Sequence, residues 1–298
     1  MLSTNLCGLE LANPLILASG ILGVSGSMLR RLAEKHHIGA VTSKSIGPEP
    51  RQGNLNPSII EIEKDIYLNA VGLANPGVDE FILEIPEAKV PGVPIIMSIF
   101  GETEDQYPEI AKKVENSGID AIELNISCPH ATVSSIGADK DLTYKVVKSV
   151  KDAVKLPVFA KLNPNVTNIV EIGLSAEKAG ADAVVAINTM RGMVIDVDIK
   201  KPILFNKSGG VSGKAIKPMA IKAVYDLYEN LKIPIIASGG IFSGLDVIEF
   251  FLAGASAVQI GTAFIRGFEI IDEIKNEMIQ YLEKNSIKNI SELIGEAH

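Results

Sequence analysis

A chain of 298 residues with 47% hydrophobic and 21% charged residues can build one large packed core, and aromatics at 5% with no Trp leave that core to aliphatic side chains. The formal net charge of −8 argues against a nucleic-acid surface, which needs clustered positive charge. Cys7 and Cys128 are too few for a disulfide framework, the N-terminus lacks a signal-peptide pattern, and no window approaches the roughly 18 apolar residues of a membrane span, so a cytoplasmic protein with neither nucleic acid nor membrane as partner is expected.

Along the chain, Cys7 lies in a hairpin-like stretch ahead of the first strand and reads as a small buried side chain. Apolar runs at Leu15–Ala18 and Ala40–Thr42 are the first two expected strands. Residues 46–92, rich in Gly, Pro and Asn, are expected to form long loops. Three proline-led runs follow: Pro94-Ile95-Ile96-Met97, Pro157-Val158-Phe159-Ala160 and Pro234-Ile235-Ile236-Ala237. Each is short and bounded by turn residues, as suits a strand buried on both faces. Each is answered 20 to 24 residues later by Gly118-Ile119-Asp120-Ala121, Gly180-Ala181-Asp182-Ala183 or Gly254-Ala255-Ser256-Ala257, opening another apolar run. The intervening segments have helical spacing: Tyr107, Ile110, Ala111 and Val114; Val146, Val147, Val150 and Val154; Ile169, Ile172, Gly173 and Ala176; and Leu245, Ile248 and Leu252, with Ser243 available as a cap. Three strand–helix–strand units and the two early strands predict a single α/β domain over 1–298. Its form is a (β/α)8 (TIM) barrel with an N-terminal hairpin and long loops over the C-terminal mouth. An open doubly wound sheet is the alternative, but no Gly-x-Gly-x-x-Gly opens a helix after the first strand.

Active sites of such barrels lie just beyond the strand ends. Cys128 follows the fourth strand in Asn125-Ile126-Ser127-Cys128-Pro129-His130, where a thiol serves as nucleophile, base or small buried hydrophobe. Lys44 and Lys161 finish the second and fifth strands; each alone could reach to water, but two at one mouth favour an anionic ligand. Asn69, Asn125 and Asn188 bring amides whose donor and acceptor match a pyrimidine edge, although each alone reads as a turn residue. Gly239-Gly240 and Gly261-Thr262 follow the last two strands, a recurrent phosphate position, and Gly209-Gly210-Val211-Ser212-Gly213 reads as a flexible loop against the same ligand.

Taken together, Ala18-Ser19-Gly20, Thr42-Ser43-Lys44-Ser45, Asn69 through Gly77, Asn125 through Pro129, Lys161-Leu162, Asn188-Thr189, Gly209 through Gly213, Ile216-Lys217-Pro218, Gly239-Gly240 and Gly261-Thr262 resemble the class 1 dihydroorotate dehydrogenases along essentially the whole chain, and within them the NAD-linked class 1B catalytic subunits. The resemblance implies FMN, held by Ser19, Lys44, Ser45, Asn125, Lys161, Ile187, Gly213, Gly239, Gly240, Gly261 and Thr262, the last four at its phosphate. It implies dihydroorotate against Lys44, Asn69, Ala70, Val71, Gly72, Leu73, Asn125, Asn188 and Thr189, and no metal. Cys128 would take the C5 proton while hydride passes from C6 to the flavin, Lys161 would stabilise charge on reduced FMN, and orotate would serve pyrimidine (UMP) biosynthesis. Electrons would reach NAD through a partner subunit carrying FAD and an iron–sulfur cluster, in a heterotetramer built on a homodimer of barrels. This chain itself has no second dinucleotide fingerprint and no cysteine cluster. Two positions depart from the family: His130 and Ser98 stand where relatives usually carry Asn. Cys-Pro-His is also similar to the flavin domain of dihydropyrimidine dehydrogenases, so a uracil-type ring is one alternative substrate and a fumarate-dependent class 1A enzyme another. The membrane-associated class 2, with a Ser base, does not fit.

Overall fold

The computed structural model describes residues 1–126 and 136–298. An antiparallel hairpin, β1 (Thr4–Leu6) and β2 (Leu9–Leu11), precedes the first barrel strand, β3 (Leu15–Leu17), and helix α1 (Gly26–His36), capped by Ser25. Then come β4 (Val41–Thr42), a hairpin of β5 (Ile59–Glu63) and β6 (Ile66–Asn69), and the short helices α2 (Val78–Ile82) and α3 (Ile85–Ala88). The regular alternation follows: β7 (Ile95–Ile99), α4 (Gln106–Val114), β8 (Ala121–Asn125), α5 (Lys140–Ala153), β9 (Val158–Lys161), α6 (Ile169–Lys178) and β10 (Ala183–Ala186). Four short strands, β11 (Met190–Gly192), β12 (Ile195–Asp196), β13 (Lys201–Pro202) and β14 (Gly209–Gly213), separate β10 from α7 (Lys217–Asn230). The chain ends with β15 (Ile235–Ser238), α8 (Gly244–Leu252), β16 (Ala257–Ile260) and α9 (Ile270–Lys284).

Eight parallel strands run in the order β3, β16, β15, β10, β9, β8, β7, β4. A bridge between Ile16 and Ala40 joins the two ends, with the Leu17 N–H donating to the Ala40 carbonyl at 3.0 Å, so the sheet closes on itself as a barrel. Alternation along each strand sorts side chains between two cores. Inward-facing Ile16, Ile96, Phe159, Val185 and Ile236 pack with Leu6 and Leu11 of the N-terminal hairpin, which stoppers the barrel at the end opposite its mouth. Outward-facing Leu15, Leu17, Ile95, Met97, Val158, Val184 and Val258 meet the helices in a larger second core. Phe159 is fully buried at the centre of the inner one, and Phe159→Ala there would cost about 3–5 kcal/mol. The left-handed Gly118, Gly180 and Gly254 stand between helix and strand, where only glycine takes that conformation cheaply.

Three expectations need correction. Residues 46–92 are not only loop: β5 and β6 form a hairpin whose exposed, weakly alternating β5 left little sequence signal. Gly209–Gly213 is not a flexible loop but an inner strand, β14, in a second sheet ordered β11, β14, β6, β5 over the mouth. Its glycines serve close approach, since a Cβ on Gly210 would stand 2.1 Å from Thr189 Oγ1 and one on Gly213 2.0 Å from the Asp65 carbonyl. Helix α8 starts at the expected Ser243 cap, but it buries Val247, Ile248, Phe250 and Phe251 while Leu245 in its first turn is exposed. Among the described residues no helix is long and apolar enough to cross a membrane.

Candidate active site

Within the mouth, between the C-terminal strand ends and the second sheet, lies a cavity of about 470 Å³. That volume is typical of a site for one cofactor or drug-sized ligand. Every described residue expected from the sequence at a cofactor or substrate lines it: Ser19, Lys44, Ser45, Asn125, Lys161, Ile187, Gly213, Gly239, Gly240, Gly261 and Thr262, and Asn69, Ala70, Val71, Gly72, Leu73, Asn188 and Thr189. Cys128 and His130 lie outside the described residues.

The floor is polar. Lys161, at the end of β9, is buried rather than reaching to water, and its Nζ donates to Gln259 Oε1 at 2.8 Å. Gln259, on β16, reaches across the barrel and donates through Nε2 to Glu123 Oε2 on β8 at 2.5 Å. One wall is a hydroxyl cluster centred on Ser45, whose Oγ lies 3.0 Å from Ser19 Oγ and 2.9 Å from Ser98 Oγ and accepts from Asn125 Nδ2 at 2.9 Å. Ser98 is fully buried behind Ser45 and does not line the cavity. Ser98 therefore meets the cavity only through Ser45. Tyr107 holds the end of β8, its hydroxyl donating to the Asn125 carbonyl at 3.0 Å.

Lys44, half-buried beside this wall, has no carboxylate partner among the described residues, and burial holds its ammonium below the ordinary lysine range. A cation left unpaired in a cavity suits an anionic ligand. Across the mouth, the turns after β15 and β16 carry a set of amides. Among the described residues none accepts a hydrogen bond from the backbone N–H of Gly239, Gly240, Gly261 or Thr262. Backbone N–H groups without acceptors at a cavity wall suit an anion. Gly240 is fixed by the fold as well: at φ 75°, a Cβ there would meet the Lys217 Cβ at 2.6 Å and its backbone nitrogen at 2.9 Å.

The roof is the second sheet. Asn69 pairs with Gly210 and donates from Nδ2 to its carbonyl at 3.2 Å. The roof is fastened to the barrel through Asp65, at the β5–β6 turn. Arg266 grips the Asp65 carboxylate with Nε at 2.9 Å and with Nη2, and Lys214 Nζ stands 3.0 Å away. The Arg266 hydrogen bond holds the Asp65 carboxyl down at about 2. Arg266 and Lys214 both lie over the ring of the cavity-lining Phe242, at 5.0 and 5.5 Å from its centroid. Asn163 and Asn165 complete the rim, with Asn165 donating to Asn163 Oδ1 at 2.8 Å and to the Thr189 carbonyl at 3.1 Å.

A family model described as dihydroorotate dehydrogenase matches residues 1–282. The chain belongs to the dihydroorotate dehydrogenase family. Among its relatives is a protein of Methanocaldococcus jannaschii named "Dihydroorotate dehydrogenase B (NAD(+)), catalytic subunit", 53% identical over 100% of this chain and 98% of that protein. A protein of Pyrococcus horikoshii with the same name is 49% identical over 99% of this chain and 97% of its own length. In structure, the chain resembles DHODH from Eimeria tenella, solved in complex with ferulenol, with a TM-score of 0.87 and 25% identity over 100% of this chain and 88% of that one.

Sequence reasoning missed Glu123, Gln259, Asn163, Asn165, Phe242 and the Asp65 fastening. The first two were detectable, since Glu123 alternates with Ala121 and Asn125, and Gln259 with Ala257, on inward positions of apolar strands. A charged or amide side chain at such a position needs an internal partner.

Proposed function

We propose that this chain oxidises dihydroorotate to orotate with FMN in the mouth cavity. The observation that carries this reading is the convergence of the described candidate cofactor and substrate residues on one cavity of a chain belonging to this family. The residues fit FMN: the acceptor-free amides of Gly239, Gly240, Gly261 and Thr262 suit its phosphate, and the buried Lys161 stands where a cation would offset negative charge. Bound FMN supplies the hydride acceptor for the C6–H bond.

The chain's own residues supply the rest. Asn69, Asn125 and Asn188 present amides to the substrate ring, and Lys44 presents a charge to its carboxylate. Cys128 is assigned as the base for the C5 proton. That proton is only mildly acidic, so its base must stand within hydrogen-bond reach and be shielded from water. Electrons leave for NAD through a separate subunit carrying FAD and an iron–sulfur cluster, in line with the relatives' name "catalytic subunit".

The decisive experiment is anaerobic titration of the purified chain. Yellow protein releasing FMN, bleached by dihydroorotate and perturbed by orotate more strongly than by uracil, is expected. A colourless protein, or bleaching by dihydrouracil alone, overturns the reading.

A further inference from the structure

The floor of the cavity holds a buried arrangement of which the reaction as derived uses only Lys161. Glu123 is fully buried, yet among the described residues its Oε1 has no hydrogen-bond partner, and Lys161 Nζ lies 3.8 Å from it. The other oxygen, Oε2, accepts from Gln259 Nε2, and Gln259 Oε1 in turn accepts from Lys161 Nζ at 2.8 Å. A carboxylate only accepts, so Glu123 dictates which end of the Gln259 amide faces it, and the remaining end dictates where Lys161 is held. Gln259 stands on the strand diametrically opposite β8 in the ring, so the chain of bonds spans the barrel. Below it the interior is apolar, with Ile16, Ile96, Phe159 and Ile236. Glu123 is shut off from solvent and Lys161 nearly so, so each charge is screened less than it would be at the surface.

We propose that Glu123, acting through Gln259, is a positioning residue that holds the Lys161 ammonium at the cavity floor and partly neutralises it, and so sets how readily a flavin above it is reduced. The positioning half stands on this chain's geometry alone, whereas the tuning half rests on the FMN reading. A free ammonium would stabilise reduced, negatively charged flavin strongly. With Glu123 beside it that stabilisation is held back, which keeps reduced flavin able to pass its electrons on.

Two measurements test the halves separately. The first is a double-mutant cycle in unfolding of the flavin-stripped protein. Lys161→Met strands a buried carboxylate and lowers the folded-to-unfolded ratio by about two to three orders of magnitude. Adding Glu123→Gln should then restore it at least about tenfold. Effects that simply add would overturn the positioning role whatever cofactor the cavity holds. The second measurement is the flavin potential of Glu123→Gln, a near-isosteric change. With one negative charge removed, the reduced-to-oxidised ratio at fixed ambient potential should rise about tenfold or more, a positive shift of about 30 mV or more for two electrons. An unchanged potential in a variant that retains FMN would overturn the tuning. A coupled cycle in a wild-type protein that binds no flavin would uphold the positioning and sink the FMN reading instead. If Glu123→Gln does not fold, Gln259→Leu takes its place: it should also move the potential, by freeing Lys161, and no movement counts against the proposal.

Discussion

Replacing Asp65 by Asn tests the fastening between roof and barrel with little disturbance, because Asp65 sits at φ 65° and Asn tolerates that left-handed conformation. The carboxyl is drawn from the ordinary 3.8 down to about 2, chiefly by its hydrogen bond from Arg266. At 1.36 kcal/mol per pK unit, that corresponds to about 2 kcal/mol. Arg266 and Lys214 are 37% and 50% exposed, so solvent screening reduces the usable part to about 1 kcal/mol. A group whose folded-state value is depressed stabilises the protein above its unfolded value and loses that contribution as pH falls through the folded one. Wild-type stability from this pairing is therefore complete at neutral pH, declines below about pH 4 and is mostly gone near pH 2. Thermal unfolding at pH 7 should place Asp65→Asn about 2 °C below wild type, and the gap should fall to about half by pH 3. A penalty that stays flat from pH 7 to pH 3 would refute the electrostatic account and leave packing as its cause.

The Cys128→Ala protein should keep its flavin yet slow flavin reduction by dihydroorotate about 10²–10⁴-fold or more, read by stopped-flow absorbance; unchanged rates would remove Cys128 as base. Gly261→Val should lower flavin content with little change in Tm, because a Cβ there meets only Ala18 and Ile21 side-chain carbons at 3.3 Å and beyond, whereas Gly240→Val should lower both by forcing apart the turn and α7. Ser98→Ala leaves Ser45 short of one partner and should cost about 1 kcal/mol in urea unfolding, with loosened flavin binding by fluorescence as the sign that Ser45 has turned. The chain alone should reduce artificial dyes with dihydroorotate but NAD negligibly, until the partner subunit is added; brisk NAD reduction by the pure chain would contradict the separate electron route.

The barrel was legible because its signal is repetitive: three proline-led apolar runs are each answered 20 to 24 residues later by a glycine-led one with helical spacing between, and all eight strands lie where the sequence put them. Much of the mouth lining was legible for a related reason, since the ends of such strands converge by construction. The roof was not. Its strands pair β6 with β14, which are separated by the whole middle of the barrel, and β14 consists largely of glycine, whose ordinary meaning is a bend. The floor was hidden differently. Glu123 and Gln259 were visible as inward polar letters, but their pairing shows only once the closed ring sets the fourth strand opposite the eighth.

The division of the roof between distant stretches of chain has a consequence during synthesis. When β5 and β6 leave the ribosome, the side of β6 that will pair with Gly210 has no neighbour, and the residue that Asn69 will bind is 141 positions further on. An unpaired strand flank bearing Leu68 is an invitation to join another nascent chain, and it stays open until residues 209–213 arrive. Crowding in translation should therefore trap this protein as oligomers joined along β6 at residues 66–69. A partner that covers that flank early would raise the yield of active chain without touching the barrel.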